Sequence, residues 1–190
     1  VISMAMIVAM MPMGVFAAGE EVAEFGNQKY SSLEDAYNAM TEQGGGTITL
    51  LKNCSGNGLG KDKDENANSL DYTIDFNGYT YTVTDNTVGS TGTVTQGFRV
   101  LQGSKAVLKN GTLKAGAGVE ELKQFVHTYG NVTLQDFTID ATSNQNTIVA
   151  FEADCGKVDI LGNSSVLAYE GKTGLYVAFW HTGTYDGTSV

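Results

Sequence analysis

Two carboxylates near residue 150 have the spacing of neighbours on one β-strand. Glu152 and Asp154 lie two positions apart, and side chains at that separation point to the same face of a strand. The sequence repeat described below brings His127 and His181 onto neighbouring strands, with Trp180 beside His181. Carboxylates next to imidazoles and an aromatic ring could bind a sugar or cleave it by acid–base catalysis. We treat these five residues as a candidate binding patch; the alternative is ordinary surface and turn positions.

The only arginine, Arg99, lies between Phe98 and Val100 and is therefore expected to point to solvent. The repeat aligns it approximately with Val126 one coil later and with Glu152 two coils later. No carboxylate cluster faces it from an adjacent coil, so we interpret Arg99 as a solvated surface residue. We predict no catalytic residue, because glycosidases need two or three carboxylates at set distances.

A charged segment at residues 61–68 contains the spacing D-x-D-x-N, formed by Asp62, Asp64 and Asn66. Oxygen ligands at this spacing can converge on Ca²⁺. The segment has Ala67 where a calcium loop needs glycine, and Thr73 where it needs an acidic residue. We interpret it as a solvent loop, with weak Ca²⁺ binding as the alternative, and we predict no other cofactor.

One segment has the pattern of an amphipathic helix that could position the strands after it. Ser31 and Glu34 match the capping box S-x-x-E. Apolar residues recur at helical spacing on one face, and these are Leu33, Ala36, Tyr37 and Met40. Three glycines at residues 44–46 would end the helix. We expect residues 30–40 to cover the first strands, since an uncovered edge would pair with another chain.

Hydrophobic strand patterns follow this helix at a nearly constant interval of about 26 residues, which is typical of stacked repeats. Their anchor residues are Ile48, Ile74, Leu108, Leu134 and Ile160. Only the step from Ile74 to Leu108 is longer, and its surplus fits the Gly/Thr-rich segment 86–94, which we expect to bulge as a loop. The sequence therefore predicts an all-β fold, a right-handed parallel β-helix with about 26 residues per coil.

A second series runs in phase with the first and contains Phe98, Phe125, Phe151 and Val177. It predicts at least two strands per coil, stacked into parallel sheets. The orientation of His127 stays open at this point, because an inward Phe125 would place His127 inward as well.

Turn residues recur in the same register, namely Asn77, Asn110, Asp136 and Asn163. Asn and Asp tolerate left-handed turn conformations, and stacked side-chain amides can hydrogen-bond along a column. We interpret this series as a structural turn ladder and not as a row of catalytic residues.

Four of these segments together carry a resemblance, namely YSSLEDA at 30–36, GGTITLL at 45–51, TIDFNGYT at 73–80 and LKNGTL at 108–113. They are similar to repeat-rich surface proteins of Gram-positive gut bacteria, which resemble the pectate-lyase-like right-handed parallel β-helix superfamily. The resemblance covers roughly residues 25–180 and implies architecture more than activity. Enzymes of that superfamily generally use acidic calcium ligands and a basic residue on an outer sheet face, and that set does not map onto this chain.

Composition excludes some classes of partner. The formal net charge is −10 and there is a single arginine, so binding to nucleic acid is not expected. An acidic surface also disfavours a polyuronate substrate. The 190 residues suit one domain with its own core, and the two cysteines, Cys54 and Cys155, lie about four coils apart and are predicted to be unpaired.

Residues 1–18 are apolar and uncharged, and Val15 and Ala17 fit a small-x-small cleavage site. We interpret residues 1–17 as a signal peptide truncated at its start; a membrane anchor is the alternative, near the lower length limit. Residues 18–45 would form the N-terminal segment with its helix, and residues 46–190 a β-helix truncated at its C-terminus. We therefore expect export to the cell surface or medium, without a membrane span in the mature chain.

These observations favour a non-catalytic solenoid segment of a larger secreted or cell-surface protein. Its role would be adhesion, contact with glycans or a host surface, or simple spacing. The alternative is a polysaccharide lyase or glycoside hydrolase of the β-helix type, which would need clustered carboxylates in a groove.

Overall fold

The chain winds into a β-solenoid of about 5 turns that follow one another about 26 residues apart. A computed structural model describes residues 20–60, 69–90 and 92–178. Within these ranges lie one helix and fifteen strands, with these bounds: β1 (Ala23–Phe25), β2 (Gln28–Tyr30), α1 (Leu33–Glu42), β3 (Gly45–Leu50), β4 (Cys54–Gly56), β5 (Asp71–Asp75), β6 (Thr80–Val83), β7 (Val88–Ser90), β8 (Thr93–Val100), β9 (Lys105–Ala115), β10 (Gln124–Thr128), β11 (Asn131–Asp140), β12 (Val149–Ala153), β13 (Val158–Leu161), β14 (Ser165–Leu167) and β15 (Thr173–Val177).

The strands form two sheets whose neighbours come from successive coils. The ten-stranded sheet A runs in the order β13-β11-β9-β5-β3-β1-β2, with β14 beside β11 and β6 between β4 and β9. The five-stranded sheet B runs in the order β15-β12-β10-β8-β7. Pairing is parallel except where β1 meets β2 and β3 and where β7 meets β8. Each coil from β5 onward therefore adds strands to both sheets, as predicted from the two hydrophobic series, whereas among the described residues the first coil reaches sheet B only through an isolated bridge between Leu59 and Phe98.

The predicted anchors of sheet A are confirmed. Ile48 pairs with Ile74, Ile74 with Leu108, Leu108 with Leu134, and Leu134 with Ile160. The first four are completely buried, whereas Ile160 on β13 is 39% exposed. Register is fixed here because a slip by one position would turn every anchor out of the core.

The predicted series in sheet B is wrong at two of its four positions. The residues in register with Phe98 are Val126, Phe151 and Leu175. The steps between these residues are unequal and shorten along the chain, so the turns on this side of the coil vary in length. Phe125 is nevertheless buried. The prediction assumed an almost constant number of residues between coils. For this reason it chose Phe125 and Val177, which are not in register with Phe98.

The surplus residues of the long interval form an ordered hairpin in place of the expected loop. Strand β7 pairs antiparallel with the start of β8, with Ser90 opposite Thr93. Residue 91 lies outside the described ranges. The hairpin covers the edge of β8, which would otherwise present unpaired backbone groups.

The helix α1 buries its predicted apolar face, but its N-cap is one position later than expected. Ser32 is the N-cap, and its Oγ accepts the Asp35 backbone N–H at 3.0 Å. Ser31 and Glu34 therefore do not form the capping box. Glu34 instead accepts a hydrogen bond from the Asn57 amide at 2.6 Å, which ties the helix to the first coil.

The first coil is covered by two elements, a strand and the helix, whereas the prediction assigned this role to the helix alone. Strand β1 pairs with β3 and thereby covers the backbone edge of sheet A. The helix packs Leu33, Tyr37 and Met40 into the core beside it. The edge is thus protected by a hairpin and the apolar interior by a helix.

The turn ladder is confirmed at three positions. Asn77, Asn110 and Asp136 have φ angles of 50°, 56° and 50°, in the left-handed region. In the next coil Gly162 takes this conformation, with φ of 64°, and Asn163 does not. A column of bonded amides is not formed, because Asn77 donates to the Leu50 carbonyl.

Asp75 stabilises this corner of the solenoid. Its Oδ1 accepts the Asn77 N–H at 2.9 Å and the Asn110 amide at 3.1 Å, and its Oδ2 lies 3.2 Å from Lys109 Nζ. Burial alone would raise the pKa of Asp75, but these hydrogen bonds and the lysine charge outweigh burial and lower it below 3.8.

Cys54 and Cys155 are both free, as predicted. Burial raises the pKa of the Cys54 thiol to about 11. Burial also raises the pKa of the Cys155 thiol, and the neighbouring charge of Asp154 adds to the shift. Neither thiol is therefore activated as a nucleophile.

The predicted signal peptide, residues 1–17, lies outside the described residues. Within the described part of the chain, no helix has both the length and the apolar character needed to cross a membrane.

Candidate polar site on sheet B

Four polar side chains meet on sheet B, and we call them the polar cluster: Arg99, His127, Glu152 and Asp154. Parallel pairing aligns Arg99 with His127 and His127 with Glu152 on consecutive strands. Asp154 directly follows β12, two positions after Glu152. The prediction of Glu152 two coils after Arg99 is confirmed, whereas the intermediate partner is His127 and not Val126.

His127 is buried and bonded to a carboxylate. Its Nε2 lies 2.8 Å from Asp154 Oδ2, and the residue is 5% exposed. Its ring contacts the Tyr129 ring at a centroid distance of 4.6 Å. The second nitrogen, Nδ1, is buried without a hydrogen-bond partner. His127 therefore lies next to a second residue of the candidate patch but beneath the surface, and its part in binding stays a prediction.

Glu152 has an electrostatic environment that favours its neutral form. Burial raises the pKa of the carboxyl above 4.5; His127 opposes the shift, and the negative charge of Asp154 adds to it. A hydrogen bond from Gln124 also favours the ionised form. The Gln124 Oε1 accepts from Thr95, so its amide N–H group is directed to Glu152.

Three of these groups converge closely enough to act on one ligand. One potential ligand atom from each of His127, Glu152 and Asp154 lies within 4.8 Å of the other two. Strand register brings His127 next to Glu152, and Asp154, which directly follows the strand, bonds His127 Nε2. The group can accept hydrogen bonds from a sugar hydroxyl, exchange a proton or hold a cation.

Arg99 is 4% exposed, so its interpretation as a solvated residue is wrong. Its Nη2 donates to Ser90 Oγ at 2.9 Å, and its Cζ lies 5.6 Å from the centre of the Tyr129 ring. Nε and Nη1 have no partner. The backbone of Gly60 packs on this side chain, since a Cβ there would lie 2.7 Å from the Arg99 Cβ.

Burial of Arg99 could not be predicted from strand alternation. Ser90 of β7 accepts a hydrogen bond from Nη2, and Gly60 approaches the Arg99 Cβ, and neither contact follows from the alternation of β8. Gln124 and Tyr129 were also missed, although both lie on or beside the strand that carries His127. Tyr176 pairs with Glu152 and is 49% exposed. Its position could be predicted only if the interval between these two coils were known to be slightly shorter than the usual repeat.

The remaining predicted site residues fall outside the described ranges. These are Trp180 and His181 of the candidate patch and Asp62, Asp64 and Asn66 of the possible Ca²⁺ loop. Their contribution stays a prediction.

A separate acidic groove provides a comparison for the polar cluster. It has a volume of about 300 Å³ and is lined by residues that include Asp85, Glu120 and Glu121. Both glutamates are exposed, so the groove differs from the cluster in burial and in lacking an imidazole.

No family model, curated protein or solved structure matches this chain. The polar cluster is therefore the feature of this chain from which a function can be inferred.

Proposed function

We propose that this chain is a non-catalytic β-solenoid segment of a secreted or cell-surface protein, and that it contacts glycans through sheet B. The polar cluster carries this proposal. Register pairing holds Arg99, His127 and Glu152 on three consecutive strands, so donors and acceptors stand at fixed spacing on a rigid scaffold. Sugar recognition requires several polar groups that are fixed in place before binding.

The buried charge of Arg99 supports a polar ligand. Arg99 Nε and Nη1 are buried without partners, and a buried guanidinium costs free energy unless acceptors surround it. The charge of Arg99 would therefore act on a ligand oxygen from beneath the surface and not through a direct hydrogen bond. The exposed ring of Tyr176 in register with Glu152 supplies an aromatic surface of the kind that stacks on sugars.

The cellular setting is part of the same proposal. The apolar stretch at residues 1–17 supports export by a signal peptide. The solenoid and its motifs support a relationship to pectate-lyase-like right-handed β-helices of bacterial surface proteins. Export would place the acidic chain where glycans of a host or a food plant are accessible.

A glycan array tests this proposal. We expect wild-type protein to bind at least one class of host or plant glycan, and Arg99→Met to weaken that binding roughly tenfold by removing the positive charge beneath the surface. Glu121→Gln, in the separate acidic groove, is the matched control and should bind like wild type. Absence of binding to every glycan would contradict glycan contact and leave a spacer role.

A β-helix lyase or glycoside hydrolase is the second candidate. Its supporting observation is the pair of carboxylates, because Glu152 has a raised pKa beside Asp154 and their nearest oxygens lie within 4.8 Å. Retaining glycosidases separate their two carboxyl groups by about 5–5.5 Å and keep one of them protonated. Release of reducing ends or unsaturated products from a bound polysaccharide, abolished by Glu152→Gln, would favour this enzyme over the binding module.

A further inference from the structure

We infer that His127, Glu152 and Asp154 form a binding site for one divalent transition-metal ion of the Zn²⁺ type. This inference is independent of glycan binding, since a metal could stabilise the solenoid whether or not sheet B contacts a sugar. It is also separate from the predicted Ca²⁺ loop at residues 61–68.

The positions of the three ligand atoms fit a small ion. All three lie within 4.8 Å of one another, and His127 Nε2 is 2.8 Å from Asp154 Oδ2. Zinc bonds nitrogen and oxygen at about 2.0–2.2 Å, so two ligands of a tetrahedron stand about 3.4 Å apart. Small side-chain rotations reach this arrangement, in which the ion replaces the His127–Asp154 hydrogen bond.

The backbone fixes these ligands before any ion arrives. His127 and Glu152 are paired residues on adjacent parallel strands, and β10 is itself held between β8 and β12. The Gln124 side chain bonds Glu152, and Thr95 bonds Gln124 in turn. Hydrogen bonds of this kind orient metal ligands and raise metal affinity.

The unbound cluster carries an electrostatic cost that a bound cation would remove. Glu152 and Asp154 bring two carboxylates together in a partly buried place, where their negative charges repel each other. His127 is 5% exposed and leaves Nδ1 buried without a partner. A cation bound by His127 Nε2 and the two carboxylates would remove this repulsion, and Nδ1, on the other side of the ring, would carry the imidazole proton.

The donor set selects the class of metal. One imidazole nitrogen with two carboxylate oxygens suits Zn²⁺ and its neighbours in the transition series. Calcium prefers oxygen ligands only, so the buried imidazole disfavours Ca²⁺. Arg99 on the adjacent strand adds positive charge, but its guanidinium is engaged by Ser90 and lies over Tyr129. Three protein ligands leave one coordination position open.

Titration of the metal-free chain with ZnCl₂, with CoCl₂ as a spectroscopic probe, tests this site. The chain should carry no affinity tag, and Cys54→Ala and Cys155→Ala should be present so that no thiol competes. We expect one equivalent of Zn²⁺ to bind and to raise the melting temperature, and equal CaCl₂ to have no effect. The Co²⁺ spectrum should show nitrogen–oxygen ligation without a thiolate charge-transfer band.

Two near-isosteric variants locate the ion. Glu152→Gln and Asp154→Asn should each weaken Zn²⁺ binding at least tenfold, because removal of a ligand costs at least as much as removal of an outer partner. Glu121→Gln should leave it unchanged, and circular dichroism of each variant confirms that it is folded. No saturable Zn²⁺ binding by the parent protein, or binding by both ligand variants that equals the parent's, would overturn the inference.

Discussion

A buried arginine and a buried histidine are the unusual feature of this solenoid at the scale of single residues. Arg99 and His127 are 4% and 5% exposed, and three of their nitrogens lack partners. Charged groups are seldom buried without pairing because desolvation is costly. Stability of the fold alone would favour apolar residues at both positions, so the pair supports the proposal that sheet B is the functional face.

Glu152 provides a prediction about pH. Its folded pKa is raised above the unfolded value of 4.5, so the folded state binds the proton more tightly and stability falls as pH rises from 4.5 through the folded pKa. Glu152→Gln should therefore stabilise the metal-free protein above that pKa, and the gain should vanish below pH 4.5. Urea unfolding across pH measures this, and a gain equal at all pH values would contradict it.

At the scale of residues, the proximity of Glu152 and Asp154 could be predicted from the sequence, and the burial of Arg99 could not. The spacing of Glu152 and Asp154 is a local property of a strand, so their convergence follows from the sequence. The burial of Arg99 depends on Gly60 and the β7 hairpin. Contacts of that kind join different parts of the chain, and strand alternation contains no information about them.

The elements of the fold are stabilised by specific turn and cap residues. Ser32 begins α1 by accepting the Asp35 N–H, whereas Ser31 is exposed and makes no such bond. Replacing an N-cap serine by alanine costs about 1 kcal/mol. Ser32→Ala should lower the free energy of unfolding by about this amount and Ser31→Ala by much less, as measured by urea denaturation. Equal effects would contradict the observed cap.

The corner between β5 and β9 offers a second test of an element. Asn110 has φ of 56° and donates to Asp75. Asn110→Ala loses this hydrogen bond and places an alanine Cβ in the left-handed region, which costs about 1–2 kcal/mol. Asn110→Gly loses the same hydrogen bond without that strain.

We therefore expect Asn110→Ala to unfold at lower urea concentration than Asn110→Gly. If the glycine variant were the less stable of the two, chain entropy would outweigh backbone conformation at this turn. The left-handed interpretation of the turn ladder would then fail as an energetic argument.

Sheet A was predictable from the sequence and sheet B only in outline. The interval of about 26 residues recurs along the solenoid, and all five anchors of sheet A pair as predicted. In sheet B the turns change length from coil to coil, so Phe125 and Val177 were misaligned. Hydrophobic periodicity identifies strands, but turn length decides which residues face each other.

At the scale of the whole molecule, the solenoid is stabilised by contacts between adjacent coils. Its first coil is closed by α1 and the β1–β2 hairpin. On the last described coil, Ile160, Leu161 and Leu175 are more than one third exposed. Stability in such a fold is a sum of contacts between adjacent coils, so it should decline from the middle coils to the last one.

Hydrogen exchange followed by mass spectrometry measures this gradient. Strand β10 lies between two parallel neighbours, whereas β15 pairs with β12 alone among the described strands. Local opening is easier where fewer contacts hold a strand. Amides of β15 should exchange well before those of β10, and equal protection of both strands would argue against independent opening of the last coil.

The central claim, that sheet B binds glycans through the polar cluster, is tested most directly by nuclear magnetic resonance. Labelled wild-type protein would be titrated with the glycans that score highest on the array. We predict that the amide signals of Arg99, His127 and Glu152 shift, together with those of their strand neighbours. Shifts confined to other surfaces, or no shift with any glycan, would contradict the claim.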